Sequence, residues 1–562
     1  MGERMIALAL VAFLAQPALA EIGPVCTAPH EVDKYQLLRR LSLDLRGRVP
    51  TMEEYAALDG ESSVPAAAIQ SFLQSDDFRL AMRRYHEAMF WPNLAQARFG
   101  VVTYSVTLFR GEAAWRSNAA ERAVQWRGGN GLESSCGDFE QTQFDPNYPG
   151  EYRPNPAAVR TVTLASGATV KQEGWRYVSP YWAPGTPIKV CAYDAQESPA
   201  AQLPNGGQVP CGTPRGNAAP GCGCGPNLRW CFGPRALVEL PILSSVREQL
   251  ELAVDEVTSQ DKPYTDLLLS TKAYVNGPIA HFKRYLGQNF VASGYIGMAD
   301  PAEEIPDKPF SDGSFTAIER KPPHAGVVTL PAYLIRFTTD RGRANRWRIN
   351  FLCEHFAPPA GVTTQHGCSE SSNDLTERCY CQHCHQTLEP MAEYWGRFAE
   401  TGTTVLDEPA FPRKLAQCIG ANGAFCRRFY VTQPDAHNPG ALLPYQYTDI
   451  HPDFSTNLAE GPRALAEEAI ADGRFARCTV KKLFAHLVKR EMNVAGADQL
   501  FTARPPPAAA AISRNFRREN FIALSSNTAN RGGTRGQSPA RRTPPASLRA
   551  REGWREIGRA HV

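Results

Sequence analysis

The sequence predicts a mainly α, multi-domain chain interrupted by an inserted, Cys-rich, irregular/β subdomain. Three observations carry that expectation. Apolar residues recur at helical spacing on both sides of residues 100–235. Within 100–235 the content of Gly, Pro, Tyr and Trp rises, and the pattern shortens to alternation. The fifteen cysteines fall in two clusters, six from Cys136 to Cys231 and seven from Cys353 to Cys426, with Cys26 and Cys478 alone. At 562 residues, 43% of them hydrophobic, the chain can fill two or three packed domains.

Residues 1–20 have the layout of a secretory signal peptide. Arg4 precedes an apolar run from Met5 to Leu14, and Ala18-Leu19-Ala20 stands before Glu21. No later run is apolar enough over about 18 residues to span a bilayer. The expected location is therefore periplasmic, secreted or surface-associated, a compartment in which thiols pair and persist as disulfides.

Residues 21–99 read as an N-terminal helical domain. EVDKYQLLRRLSLDL places Leu37, Leu38, Leu41 and Leu45 on one face, and Thr51-Met-Glu-Glu54 is a capping box for the next helix. AMRRYHEAMFWPNL aligns Met82, Tyr85 and Met89, while Arg39, Arg40 and Asp44 read as solvated charges. In the 100–235 insert, VRTVTLASGATVKQEGWRYV suggests short strands joined by turns. CGTPRGNAAPGCGCGPNLRWC brings Cys211, Cys222, Cys224 and Cys231 into one loop, where disulfides are favoured over a structural zinc.

Helical patterning resumes over 236–360. Ser245-Val-Arg-Glu248 has capping-box spacing, and PAYLIRFTTDRGRANRWRINFLCEHF reads as one helical unit stopped by the prolines of APPAG. Residues 461–521 carry two more helices, with Val480, Leu483, Phe484 and Leu487 on an apolar face. The last segment, 522–562, has no apolar periodicity. Residues 501–562 hold twelve Arg, three Glu and neither Lys nor Asp, a net of +9 that leaves residues 1–500 at −6 of the chain's +3. That composition resembles GC-rich DNA read out of frame, and EIGRAHV back-translates to a sequence resembling a short-read sequencing adapter. The tail is therefore not read as a nucleic-acid arm, and no nucleic-acid partner is expected.

The segment between, 361–460, contains CYCQHCHQTLEP at 379–390. Cys381-Gln-His-Cys384-His385 within it matches the CxxCH pattern of c-type haem attachment. Two thiols at this spacing can form thioethers to both haem vinyl groups, and the adjoining imidazole becomes the proximal iron ligand. Composition alone yields the pattern about 0.008 times in such a chain. Two alternatives stand beside it: a zinc quartet of Cys379, Cys381, Cys384 and His385, and a disulfide knot with Cys353, Cys368, Cys418 and Cys426. No opposite axial ligand stands out. Met391 is too near His385 in sequence, and His437, His451, His486 and Met492 each have an ordinary reading.

CxxCH followed by QTLEPMAEYWGRFAETG resembles the haem segment of the planctomycete-type cytochrome-c-like family. The family's acidic-Pro pair falls on Glu389-Pro390, with Glu where Asp is more usual, and its aromatic-acidic-Gly ending on Phe398, Glu400 and Gly402. HAGVVTLPAYLIRFTTDRGRANRWRINFLCEHFAPPAG, LLRRLSLDLRGRVPTMEEYAAL and FARCTVKKLFAHLVKRE are similar to other segments of that family. The resemblance implies an exported, multi-domain protein with a cytochrome-c-like helical haem region. It carries over covalent haem c, with Cys381 and Cys384 as anchors and His385 on the iron. Members of that family are linked to extracellular redox or polymer-degradation systems, and the function expected here is electron transfer in an extracytoplasmic redox system, with a redox partner protein that the sequence does not name. A disulfide-rich surface-binding scaffold and a haem-dependent redox enzyme are the alternatives. The chain has no P-loop, GxGxxG, HExxH or GxSxG to supply a second cofactor or hydrolytic centre.

Overall fold

The computed structural model describes residues 32–488, apart from 91, 95–105, 108–114, 117–135, 142–157, 287–299, 357–367, 448–459 and scattered stretches of one to four residues. The signal-peptide and tail readings lie outside the described residues, as do His451, Met492 and the APPAG stop.

The N-terminal helices form where their caps say they should. Helix α1 (Lys34–Arg46) starts at Asp33, whose carboxylate accepts the Tyr35 and Gln36 N–H groups, and ends at Gly47 with φ 70°. Leu38, Leu41 and Leu45 bury against Leu58, Ile69 and Phe72, the last two from α3 (Ala66–Leu73). Between them, α2 (Met52–Ala56) opens with the expected Thr51/Glu54 capping box. Glu54 also receives two hydrogen bonds from Arg46, at 2.6 and 2.8 Å, while that guanidinium lies 3.5 Å from the Phe72 ring centre. Helix α4 (Asp76–Phe90) buries Met82, Tyr85 and Met89. Its Arg83 grips Asp255 and Glu251 on the next long helix.

The insert is built from antiparallel two-stranded pairs: β1 (Val106–Thr107) with β2 (Trp115–Arg116), β3 (Arg160–Thr163) with β4 (Thr169–Gln172), β5 (Trp175–Val178) with β6 (Ile188–Cys191), and β7 (Ala200–Gln202) with β8 (Gln208–Pro210). Such ribbons are marginal alone. Three disulfides brace them: Cys136–Cys191, Cys211–Cys222 and Cys224–Cys231. Its small apolar clusters include those same sulfurs, beside Val178, Val190, Ala195 and Leu228 or beside Ala201, Val209 and Trp230. Neighbouring Cys222 and Cys224 serve different bridges, so the expected disulfides occupy all four cysteines of the loop.

Helix α5 (Glu239–Ser259) begins six residues before the Ser245 cap expected from spacing. Pro241 falls in its first turn, where the missing N–H has no helical partner to lose, and Arg235 pairs with Glu239 at 2.7 Å. Next come α6 (Asp266–Leu269), β9 (Lys272–Val275), α7 (Gly277–His281) and β10 (Thr316–Glu319), with β9 and β10 antiparallel. The single helical unit expected at PAYLIRFTTDRGRANRWRINFL divides into α8 (Pro331–Arg336), α9 (Asp340–Trp347) and a π-turn, Arg348–Leu352. Thr339 causes the division, because its hydroxyl accepts the Gly342 N–H at 3.1 Å and caps α9 afresh.

Helices α10 (Gln382–Ala392), α11 (Ala424–Phe429), α12 (Pro462–Ala471) and α13 (Arg474–Val488) complete the described body. One apolar core runs from Met89 to Phe475 and centres on Trp347, Trp395 and Tyr333. The Cys353–Cys478 disulfide fastens the end of the π-turn to α13. Outside the insert the protein is therefore mainly helical.

Candidate functional site

The cysteine-histidine segment divides sharply in three dimensions. Cys379 is buried and bonded to Cys368. Ser369 and Arg378 form a bridge beside that disulfide, and the Cys379 N–H donates to Ser369 O at 3.1 Å, closing residues 368–379 into a loop. Tyr380 then takes φ 69°, a left-handed conformation costly for an aromatic residue, and reverses the chain into α10. Cys381 is the N-cap residue of α10 and Cys384 lies in its first turn. Both remain thiols, half-buried, and they are the only free cysteines among the described residues.

This arrangement bears on both alternatives to CxxCH, and a pairing of Cys379 with Cys368, one partner of the knot, is present. The zinc quartet lacks Cys379, whose sulfur is spent on Cys368. The disulfide knot resolves into Cys353–Cys478, Cys368–Cys379 and Cys418–Cys426, none of which takes Cys381 or Cys384.

His385 sits one residue beyond Cys384, its side chain 21% exposed. One helical turn on, Glu389 is on the same face, and its Oε1 accepts a short hydrogen bond from the His385 Nδ1 side. Arg341 on α9 donates from Nε to that same Oε1 at 2.6 Å. The Glu389 side chain is only 5% exposed, whereas that of Arg341 is 43% exposed. The carboxylate is thus held from both sides and the imidazole is fixed through Nδ1. His385 Nε2 makes no hydrogen bond among the described residues, so the nitrogen available to a ligand is defined.

The downstream residues of the motif are anchored by the same helix. Arg343 is fully buried; it pairs with Asp340 at 2.7 Å and donates to the carbonyls of Phe337, Phe398, Ala399 and Gly402. The Asp340 N–H donates to Glu400 Oε1 at 3.0 Å. Phe398, Glu400 and Gly402 therefore all meet α9 or its immediate approach. Burial pushes the Asp340 carboxyl well above its ordinary range, opposed by Arg343.

Two histidines weighed as opposite ligands are described. His486 packs against Tyr85 in the α4–α13 contact, and its charge bears on His86. His437 stacks over Tyr447, its buried Nε2 without a hydrogen-bond partner among the described residues. Tyr447 faces Asp374, Glu389 and Arg341; burial and the two carboxylates raise its phenol well above the ordinary value. Sequence reasoning missed Arg341 as part of this site and read Glu389 only as a motif exit. The i,i+4 spacing of His385 and Glu389 was a legible signal; nothing local pointed to Arg341.

No family model, curated protein or solved structure matches this chain. The site's chemistry therefore stands on its own geometry.

A second ligand-type group lies elsewhere. Asp300, Glu303 and His324 bring three potential ligand atoms within 4.8 Å of one another. His324 Nε2 is 3.0 Å from Asp300 and 3.7 Å from Glu303. Lys283 already pairs with Glu303, its side chain 6% exposed, and the Arg320 guanidinium adds a second positive charge. Burial alone would raise the Asp300 carboxyl; the His324 hydrogen bond and the charges of His324 and Lys283 hold it below its ordinary value. The two carboxylates thus already face His324, Lys283 and Arg320.

Proposed function

We propose that this protein is an exported c-type haem protein that transfers electrons in an extracytoplasmic redox system. Cys381 and Cys384 would hold the haem through thioethers and His385 Nε2 would ligate its iron. The observation that supports this reading most is selective: twelve described cysteines are paired, and the two that remain thiols are the two of CxxCH. In a disulfide-rich protein, two free thiols on one helical turn are available for thioether formation.

Bound haem would supply a one-electron Fe(III)/Fe(II) couple. The chain's own contribution is to present the thiols half-buried at the start of α10, fix His385 through Glu389, and anchor 398–402 to α9. A cytochrome-c-like character for the 361–460 region and a redox partner protein belong to the same proposal. Six disulfides fit an oxidising compartment, periplasmic or secreted. No described helix is long and apolar enough to cross a membrane.

The test is expression of the full chain in a host with haem-c maturation, then haem staining on a denaturing gel and a reduced-minus-oxidised spectrum. Covalent haem that disappears in Cys384→Ser is the expected result. A colourless wild type with Cys381 and Cys384 joined to each other in peptide maps would sink the reading and favour a disulfide-rich scaffold.

A further inference from the structure

We propose that Glu389, braced by Arg341, is a positioning residue that selects His385 Nε2 as the iron ligand and lowers the haem midpoint potential; this rests on the haem reading above. A histidine has two nitrogens, and the one that meets a metal is set by what the other bonds. Here Nδ1 is committed to Glu389 Oε1 within the same helix. The N–H must lie on Nδ1 for that bond to form against a carboxylate, so the lone pair falls on Nε2.

Many histidines that ligate metals donate their second N–H to a backbone carbonyl or to water; a carboxylate is a stronger acceptor and raises the basicity of the ring more. A more electron-rich imidazole favours the ferric over the ferrous ion. The carboxylate is kept in place by the 2.6 Å bond from Arg341 and by burial of Glu389 itself. Because Arg341 and His385 share one oxygen, Arg341 orients Glu389 while moderating its pull on the ring.

Glu389→Gln keeps the side-chain shape and removes the charge, and Arg341, 43% exposed, can turn to water. The experiment compares full-length wild type, E389Q and E389D, each matured with haem. It reads covalent haem by mass and midpoint potential by spectroelectrochemical titration. E389Q is expected to keep covalent haem and show a more positive midpoint; E389D, which retains a carboxylate, is expected to stay nearer the wild type. Covalent haem with an unchanged potential in E389Q, or an E389D shift as large as that of E389Q, overturns the proposal while leaving the haem reading intact. Absence of covalent haem in the wild type overturns the haem reading instead.

Discussion

Acid sensitivity is the property for which the structure makes its most quantitative prediction. His86 on α4 is fully buried; its Nδ1–H donates to Met82 O at 2.7 Å, and Nε2 accepts from the Tyr264 hydroxyl at 2.8 Å. Both nitrogens are thus used in the neutral form, and protonation would bury a charge there, with the Tyr264 hydroxyl turning to accept. Burial pushes the His86 imidazole down to about 4, with a backbone hydrogen bond opposing and the charge of His486 assisting. Burial likewise pushes His281, stacked 3.7 Å from Tyr181, down to about 3.

The sign follows from which state takes the proton. Above the ordinary value of 6.5 both states are neutral and the stability is fully present. As pH falls below 6.5 the unfolded chain binds protons that the folded chain refuses, so stability drops by about 1.4 kcal/mol per pH unit per histidine. By pH 4.5 each histidine removes about 2.5 kcal/mol relative to pH 7.5. Carboxylates held low by their partners, such as Glu54 and Glu256 at about 2, lose their contribution only below the ordinary carboxylate range. Carboxyls raised by burial, Asp340 above all, with Glu251 and Asp266, take up protons in the folded chain as pH falls and oppose the loss from the histidines, so the His86 share is read from the difference between wild type and variant. Urea unfolding at pH 7.5, 6.5, 5.5 and 4.5, compared between wild type and His86→Gln, should show a loss about 2.5 kcal/mol larger in the wild type. His86→Gln, though less stable throughout, should show the shallower pH slope. A wild type and a His86→Gln variant with the same pH slope would refute the reasoning.

Two further outcomes follow from the anchors around the site. Arg343→Met removes the donors to four backbone carbonyls and strands buried Asp340; it should cost about 3–5 kcal/mol in chemical denaturation and loosen 398–402 in amide exchange. Replacing Cys353 and Cys478 together by Ser opens a loop of 125 residues and should cost about 5 kcal/mol on the chain-entropy estimate, read as a lowered denaturation midpoint.

Local signals identified those parts of the fold whose causes are local. Thr51 caps its helix through Glu54, three positions away, so the capping box was readable. The short strands flanking 164–168 followed from alternation and turn residues. What failed to show was decided at a distance. The start of α5 depended on Pro241 being harmless in a first turn, which spacing alone does not reveal. The β9–β10 pair joins four-residue strands more than forty positions apart, below any periodicity. Arg341 reaches Glu389 across 48 positions and carries no mark that separates it from Arg343 or Arg346.

The partition of the cysteines shows why a motif can be legible while its context is not. Seven cysteines between 353 and 426 allow many pairings, and sequence separation does not rank them. Cys379 stands two residues before Cys381, close enough in sequence for its sulfur to compete for pairing with either cysteine of CxxCH. Here the backbone makes them inequivalent. Tyr380 at positive φ places Cys379 at the end of a closed loop and Cys381 at the start of a helix, so the two thiols belong to different structural units. The bridge to Cys368 consumes the sulfur that would compete, and α10 then holds Cys381, Cys384, His385 and Glu389 on consecutive turns. Freeing Cys379 by Cys368→Ser would restore the competition that the loop removes, so the same disulfide that looks incidental to the site is what keeps its two thiols distinct.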